Sequence, residues 1–345
     1  MLRAIDFFCG AGGVTCGFKQ AEIEVLGGID IDIACKETYE KNNNTKFLHA
    51  DITKVEKSVL EKEFGIAKND DELVFIGCSP CQYYTNLKTD KTKSQKTRML
   101  LDDFREFIAY YKPGYIFIEN VPGLEKKEDS PLNKFKHFLK ENKYDVVDKV
   151  INAKYYGVPQ NRRRYVLLAS RVDSKINLPA EEKNPELNVK NAIGDFKIFY
   201  PIEAGFKDDS LFMHWAARLS EKNLKRIKKT PKNGGSRKEW ANDPELQLDC
   251  YKDHEGHWDV YGRMKWEDVS PAITTRFNSY SNGRYGHPEQ DRAISLREGA
   301  RLQSFPLNYY FYANNQADIA KMIGNAVPPE LARRIAISLK EQTHE

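Results

Sequence analysis

Cysteine is scarce, with six in 345 residues. That is too few for a disulfide framework, so a reducing, cytosolic setting is expected. Long apolar runs are missing as well. No stretch approaches the roughly 20 apolar residues that span a bilayer. The opening MLRAIDFFCGAGG lacks the long apolar stretch of a secretory signal. No internal repeat or long low-complexity tract is visible. Charge of one sign is not in excess either: 54 Lys and Arg stand against 50 Asp and Glu, a formal net charge of +4. That balance neither demands nor excludes a nucleic-acid partner. What is present is 40% apolar and 30% charged residues, with 18 Tyr and 18 Phe. This suits a folded core and argues against wholesale disorder. The length suits about two domains at roughly 100–200 residues each.

The first half alternates short apolar runs with helix-like polar segments. Strands are predicted at Arg3–Phe8, Val25–Ile29, Leu73–Ile76, Tyr115–Ile118, Asp145–Asn152 and Arg164–Ala169. Helices are predicted at Val14–Gln20, Cys35–Lys41, Leu100–Tyr111 and Lys134–Asn142. Alternation of this kind points to βαβ units and a mainly parallel sheet covered on both faces. From Lys175 to about Gln290 the chain is rich in Pro, Gly and Asn and reads as loops. Order returns at Ser295-Leu-Arg-Glu298, a capping-box pattern, and at Pro328-Pro329, with proline in the first turn of a final helix. That end is expected to fold back onto the first region. Basic residues concentrate in Asn86–Arg98, with five against one acid, and in Arg218–Lys238, with nine against one.

Five clusters carry chemistry. Asp6-Phe-Phe-Cys-Gly-Ala-Gly-Gly13 closes the first strand and opens a helix, where glycines let a ligand approach backbone. Thr15 stands where a dinucleotide fingerprint needs its third glycine, so a tight turn is an equal reading. Asp30, at the end of the second strand, can bind ribose hydroxyls, and Asp51 follows the next apolar patch. Cys78-x-x-Cys81 lacks both a thioredoxin-like context and a second ligand pair for zinc. A nucleophilic cysteine on a proline-rigid turn and a structural cysteine both stay open. Glu119-Asn120-Val-Pro-Gly123 sits at a strand end. Enclosure in a pocket is what lets such a carboxyl donate a proton at neutral pH; an Asx/Pro-Gly turn is the alternative. Gln160-Asn-Arg-Arg-Arg164 leads into a strand, and strict alternation puts Arg162 and Arg164 on one face and Arg163 on the other. Such arginines suit a bound anion or a polarised carbonyl, or a surface edge strand.

Taken in order, FCGAGG, GID, ADI, SPCQ, IENVPG, QNRRR and IGNAVPP resemble the DNA (cytosine-5) methyltransferases over nearly the whole chain except about 180–265. The resemblance implies an α/β, Rossmann-like S-adenosylmethionine-dependent methyltransferase domain with a mainly parallel sheet, plus a smaller irregular target-recognition domain. It divides the chain into 1–178, 179–290 and a return at 291–345. It also implies roles. Cys81 attacks carbon 6 of cytosine as thiolate, and Glu119 holds or protonates nitrogen 3. Arg164, with Arg162 nearby, binds the carbonyl oxygen. Asn120 positions the Cys81 turn. The base is flipped out of double-stranded DNA. S-adenosylmethionine is assigned to Phe8, Gly10, Gly12, Gly13, Asp30, Ile31, Asp51, Ile52, Pro80, Asn325 and Ala326. The cofactor has no phosphate, which makes the third glycine dispensable.

In this family the stretch at about 180–290 is the reader, and base specificity is expected between about 200 and 265. Arg237, Arg263 and Arg276 are candidate DNA contacts, since arginine recognises guanine best. Cys250-x-x-x-His254-x-x-His257 lacks a fourth ligand, so a polar loop is favoured and no metal is expected. A cytoplasmic, prokaryotic monomer beside a cognate restriction endonuclease fits a catalytic unit without regulatory additions. Three other readings are kept. A tRNA cytosine-5 methyltransferase is not excluded by Tyr83, Tyr84 and Thr85 after the Cys81 motif. A catalytically dead relative is opposed by Cys81, Glu119, Arg162 and Arg164. A nicotinamide oxidoreductase is opposed by the missing glycine. The loop after Cys81 carries Lys88, Lys91, Lys93, Lys96 and Arg98, which suits phosphate contact. Changing the four lysines to alanine is expected to flatten the salt dependence of DNA affinity, read from binding isotherms across ionic strength. An unchanged slope would remove the loop from phosphate binding.

Overall fold

The computed structural model describes residues 1–79, 100–123, 130–173, 175–183, 185–248 and 258–342. The chain forms two compact units. The first comprises Met1–Asn152, Arg163–Glu181 and Val327–Glu345; the second comprises Ala153–Arg162 and Glu182–Ala326. The first unit is thus discontinuous, with the C-terminal segment folded back onto it. The boundaries differ from those expected at 178 and 290. Residues 291–326 group with the second unit, and so does the ten-residue excursion at 153–162. The physical reason is local: the helix at Leu296–Leu302 packs on those at Val189–Ile193 and Gln316–Asn325, inside the second unit.

In the first unit, strands β1 (Arg3–Phe7), β2 (Glu24–Asp30), β3 (Lys46–His49), β4 (Leu73–Gly77), β5 (Tyr115–Asn120) and β6 (Asp145–Asn152) are followed, after the excursion, by β8 (Arg163–Ser170). Helices α1 (Gly13–Gln20), α2 (Lys36–Asn43), α3 (Val59–Phe64), α4 (Leu100–Tyr111) and α5 (Pro131–Glu141) lie between strands. The sheet order is β3-β2-β1-β4-β5-β8-β6. The first five strands run parallel, and β8 is antiparallel to both its neighbours. The sheet is therefore mostly parallel, as expected. Strand order reverses at β1, which puts a crevice outside the carboxyl ends of β1 and β4.

The strands form because they are apolar on both faces. Ile5, Phe7, Phe75, Ile116 and Ile118 join one core with Leu60 of α3, Phe104 of α4 and Phe135 of α5. On the other face Phe18 of α1 stacks on Phe117, with ring centroids 6.0 Å apart. The helix α5 starts where Ser130 accepts the Asn133 N–H and Pro131 takes the first turn. Two elements escape a period-based reading. The strand β3 is only four residues, and α3 only six.

In the second unit, β7 (Gln160–Asn161) pairs with β9 (Ser270–Pro271). Its helices are α6 (Val189–Ile193), α7 (Glu221–Lys229), α8 (Leu296–Leu302) and α9 (Gln316–Asn325). Much of the rest is loop, in keeping with its composition. The helix α8 carries the predicted capping box, with Ser295 and Glu298 each bonded to the other's backbone. Among the described residues, no helix is long and apolar enough to cross a membrane.

The last helix, α10 (Pro329–Gln342), belongs to the first unit and lies against α1. Contact is close enough that a Cβ on Gly17 would stand 2.3 Å from the Pro329 carbonyl and 2.7 Å from the Ala332 Cβ. Replacing Gly17 by valine forces the two helices apart and is expected to destabilise the chain by about 1–3 kcal/mol. Urea unfolding followed by far-UV circular dichroism measures this; an unchanged midpoint would contradict the packing.

Candidate functional site

The site begins with a strand that has to stop. At the end of β1 the backbone turns through left-handed conformations at Phe8 (φ 59), Gly10 (φ 49) and Gly12 (φ 86) before α1 begins at Gly13. A Cβ built on Gly10 meets nothing within 4 Å, so this turn presents bare backbone to an open space. The turn is held by Gly12 N–H on Cys9 O (2.9 Å), Cys9 N–H on Ile29 O (3.2 Å) and Gly10 N–H on Asp30 Oδ2 (2.8 Å).

Asp30, the last residue of β2, also accepts the Asp32 N–H at 2.8 Å. Burial is the main cause that raises its carboxyl pKa, opposed by those N–H donors. Beside it Ile31 is 63% exposed, an apolar side chain beside a carboxylate. Past β3, His49 lies 3.0 Å from the Ile31 carbonyl, and Asp51 Oδ1 accepts from the Thr53 N–H (3.1 Å) and hydroxyl (2.8 Å). The Thr53 hydroxyl is the main cause that lowers the Asp51 pKa. Ile52 is buried. The ends of three neighbouring strands thus bring Phe8, Gly10, Gly12, Gly13, Asp30, Ile31, Asp51 and Ile52 along one edge.

Beneath the turn lies a buried polar knot that the sequence reading left without a role. Asp6 on β1 is fully buried. Its Oδ2 accepts the Thr15 hydroxyl at 2.7 Å, and Thr15 lies 3.0 Å from the Tyr39 hydroxyl of α2. Asp6 Oδ1 has no hydrogen-bond partner among the described residues. Burial pushes the Asp6 carboxyl up to about 7, with the Asp30 charge adding and the Thr15 hydrogen bond opposing. An acid at the start of a glycine turn, followed by a hydroxyl one helical turn into α1, was the available signal.

The catalytic-looking groups sit further along the same edge. Glu119 and Asn120 end β5, and β8 runs back beside them with Glu119 opposite Val166. Arg164 is two residues before Val166 and shares its face, so it meets Glu119 diagonally across the pair. Its Nε stands 2.8 Å from Glu119 Oε1. The approach is an ion pair without hydrogen-bond alignment, since Oε1 accepts no hydrogen bond from the described residues. Asn120 is buried, its Oδ1 accepting the Val121 N–H at 2.7 Å. Cys78 follows β4. Packing around its sulfur pushes the thiol well up, with the Glu119 and Asp6 carboxylates adding. Cys81 and Pro80 lie outside the described residues, as do Lys88, Lys91, Lys93, Lys96, Arg98 and the Cys250, His254 and His257 set.

Three of the candidate arginines are buried. Arg162 does not share a strand face with Arg164, because the β8 ladder begins at Arg163. It is 3% exposed and donates to the carbonyls of Ile273 (3.0 Å), Gly324 (3.4 Å) and Ala326 (3.2 Å), all in the second unit. Arg263 is fully buried and donates to the carbonyls of Thr230, Ile227, His287 and Gln290, and to Asp291. Arg237 is buried with its guanidinium 4.2 Å from the Trp258 ring centre. Neither presents its head to solvent as a base reader would. Arg276 is exposed. Within the basic run Arg218–Lys238, Arg226 and Arg237 are buried, while Arg218, Lys222, Lys225, Lys228, Lys229, Lys232 and Lys238 are exposed. Asn325 ends α9 and Ala326 follows it.

A family model described as C-5 cytosine-specific DNA methylase matches residues 2–341. The chain is 39% identical to the Type II methylase M.HgiDII of Herpetosiphon aurantiacus, over 99% of this chain and 96% of the relative. It is 32% identical to the Type II methyltransferase M1.HphI of Haemophilus parahaemolyticus, over 100% of this chain and 88% of that one. Among solved structures, a provisionally described DNA modification methyltransferase from an Escherichia coli prophage aligns over 100% of both chains with a TM-score of 0.75 at 20% identity.

The Asp6 knot yields a pH signature. A carboxyl raised from 3.8 to about 7 in the folded chain binds a proton that the unfolded chain has released, so stability falls as pH rises through that window. The slope contributed is at most about 1.4 kcal/mol per pH unit. Asp6→Asn is expected to remove this slope in denaturant titrations between about pH 4 and pH 7; a wild-type slope retained in the variant would refute the assignment.

Proposed function

The chain belongs to the C-5 cytosine-specific DNA methylases, and from that premise we propose that it methylates carbon 5 of a cytosine flipped out of a specific double-stranded DNA sequence, through a covalent adduct on Cys81, as the modifying enzyme of a Type II restriction–modification system. The observation that carries the reading is the Glu119–Arg164 pair at the end of β5, on the same sheet edge as the open glycine turn and Asp30.

The residues at that edge fit S-adenosylmethionine. The open backbone at Gly10 suits a bulky ligand, the Asp30 carboxylate suits vicinal hydroxyls, and exposed Ile31 suits the face of a flat ring. When bound, the cofactor supplies an electrophilic methyl group. Phe8, Gly12, Gly13, Asp51, Ile52, Pro80, Asn325 and Ala326 complete the proposed binding set.

The chain's own residues do the rest. Inside a duplex no protein group reaches carbon 6, so the base leaves the stack first. The Cys81 thiolate adds to carbon 6. Glu119 engages nitrogen 3, which draws electron density from the ring as the carbon–sulfur bond forms. Arg164, anchored on Glu119, faces the charge that develops on the carbonyl oxygen. Carbon 5 then accepts the methyl group, loses its proton, and expulsion of Cys81 restores the aromatic ring. Asn120 shapes the backbone at the end of β5. The exposed basic residues Arg218, Lys222, Lys225, Lys228, Lys229, Lys232, Lys238 and Arg276 take the role of phosphate contacts, with the loop lysines.

Transfer from tritiated S-adenosylmethionine to duplex DNA, with tRNA as a parallel substrate and bisulfite sequencing of the product, tests this. Cys81→Ser is expected to abolish transfer and the trapping of DNA containing 5-fluorocytosine. Glu119→Gln is expected to lower kcat by about 10²- to 10⁴-fold, and Arg164→Ala by about 10²- to 10³-fold. Label on tRNA alone, or full activity of Cys81→Ser, would overturn the proposal.

A further inference from the structure

We infer that Arg162 is a positioning residue that sets the turn at Asn325–Ala326, and with it the affinity for cofactor, and that it is not a substrate contact. The inference rests on the reading above that this turn belongs to the cofactor site.

A helix leaves its last carbonyls without partners inside the helix, and these favour a cation. The helix α9 has no basic residue in its own last turn. Arg162 supplies one from far away in sequence. Its Nη2 reaches Gly324 O at 3.4 Å and Ala326 O at 3.2 Å. Gln303 covers the neighbouring carbonyls, donating to Ile323 O at 2.7 Å and again to Ala326 O at 3.2 Å. Gln303 is itself held by Gln160, whose Nε2 donates to Gln303 Oε1 at 2.8 Å while its Oε1 accepts the Ile273 N–H at 2.9 Å. The two residues of the Q-N-R motif that precede the strand thus act together on the end of α9.

A second observation points the same way. Arg162 Nη1 donates to Ile273 O, so one guanidinium bridges the 273 backbone and the end of α9. These two segments touch there without side chains between them: a Cβ on Gly324 would stand 2.3 Å from the Thr274 carbonyl carbon. Only a planar fork with several fixed donors can grip both backbones at this junction, and a lysine cannot reproduce it.

The third observation is topological. The chain passes into or out of the second unit at Ala153, Arg162, Glu182 and Ala326. Ala153 N–H donates to Arg162 O at 2.9 Å, Glu182 N–H donates to Tyr155 O at 2.9 Å, and the Arg162 side chain reaches Ala326 O. All four passages are therefore tied to the 153–162 excursion by hydrogen bonds inside the second unit. The Arg162 side chain joins the passage that leads to Arg164 directly to the passage that leads from Asn325–Ala326, beside the relay from Gln160 through Gln303 to the same carbonyl.

Arg162→Lys keeps the charge and loses the fork. Calorimetric titration with S-adenosylhomocysteine is expected to show affinity reduced at least tenfold. KM for S-adenosylmethionine should rise in parallel, with kcat at saturating cofactor and duplex-DNA affinity changed less than threefold. Unchanged affinity for S-adenosylhomocysteine with a collapse of kcat would make Arg162 a substrate contact and overturn the inference. Should Arg162→Lys fail to fold, Gln303→Met removes the other donor to Ala326 O, and unchanged affinity in that variant overturns it equally. Wild-type protein that neither binds S-adenosylhomocysteine nor modifies DNA would instead refute the function proposed above and is read first.

Discussion

Strand β1 ends in the middle of the sheet, with β2 on one side and β4 on the other, and the chain must leave that crowded place within five residues to start α1. The turn therefore runs through left-handed backbone at Phe8, Gly10 and Gly12. Positive φ is cheap for glycine and costly for most other residues. Once the turn is made, its N–H groups point outward and need acceptors. Asp30 takes one of them, and the side chain that does so stands at the end of the neighbouring strand. The bare patch, the carboxylate and the exposed Ile31 all follow from how one central strand stops. The same parallel order carries Gly77 and Asn120 to the same edge, so the groups after β4 and β5 share it. Antiparallel β8 then arrives from the other direction with Arg164 at its start, diagonal to Glu119.

The second unit solves a different problem. It has few helices and short strands, so many backbone carbonyls have no ladder partner, and buried carbonyls must be satisfied. Arginines do this. Arg162, Arg226, Arg263 and Arg297 are each buried and each donate to two or more main-chain carbonyls. Arg292 instead forms a two-point pair with Glu298, at 2.7 Å for both bonds. Burial alone would lift the Glu298 acid, but Arg292 holds it well below the usual carboxylate range. The pair sits beside His287, whose Nδ1 accepts the N–H groups of Glu289 and Gln290, while burial keeps its ring neutral. Guanidinium groups replace the hydrogen bonds that regular elements supply elsewhere. The lysines of the run Arg218–Lys238, which holds Arg226, stay at the surface, because an ammonium is strongly hydrated and lacks the fork.

This division explains which readings of sequence succeeded. Apolar runs of four or more residues at β4, β5 and β8 made strands, since both faces of the sheet are covered and alternation is not required; β1 is apolar apart from Arg3 and the buried Asp6. The strand β3 and helix α3 are too short for a period to show. The capping box at Ser295–Glu298 and the proline in the first turn of α10 are local chemistry, and both formed where expected. Arg162 and Arg164 were put on one face by alternation, a rule that holds only after the backbone joins a ladder. The ladder starts at Arg163, so Arg162 falls in the other unit. Arg237 and Arg263 looked like readers because arginine is the residue that reads guanine. Nothing in one sequence distinguishes such an arginine from one that serves carbonyls in a loop-rich fold.

By itself, then, the order of residues determined the strand-and-helix alternation, the glycine turn, the acids at strand ends and the family resemblance, because each depends on neighbours within a few positions. The tertiary structure alone decided three things: that Glu119 meets Arg164, that Asp6 is an acid with an elevated pKa, and that Arg162 serves the end of α9. Each of these depends on burial or on contacts between residues far apart in the chain, and a charged side chain takes its role from the carbonyls, charges and solvent around it.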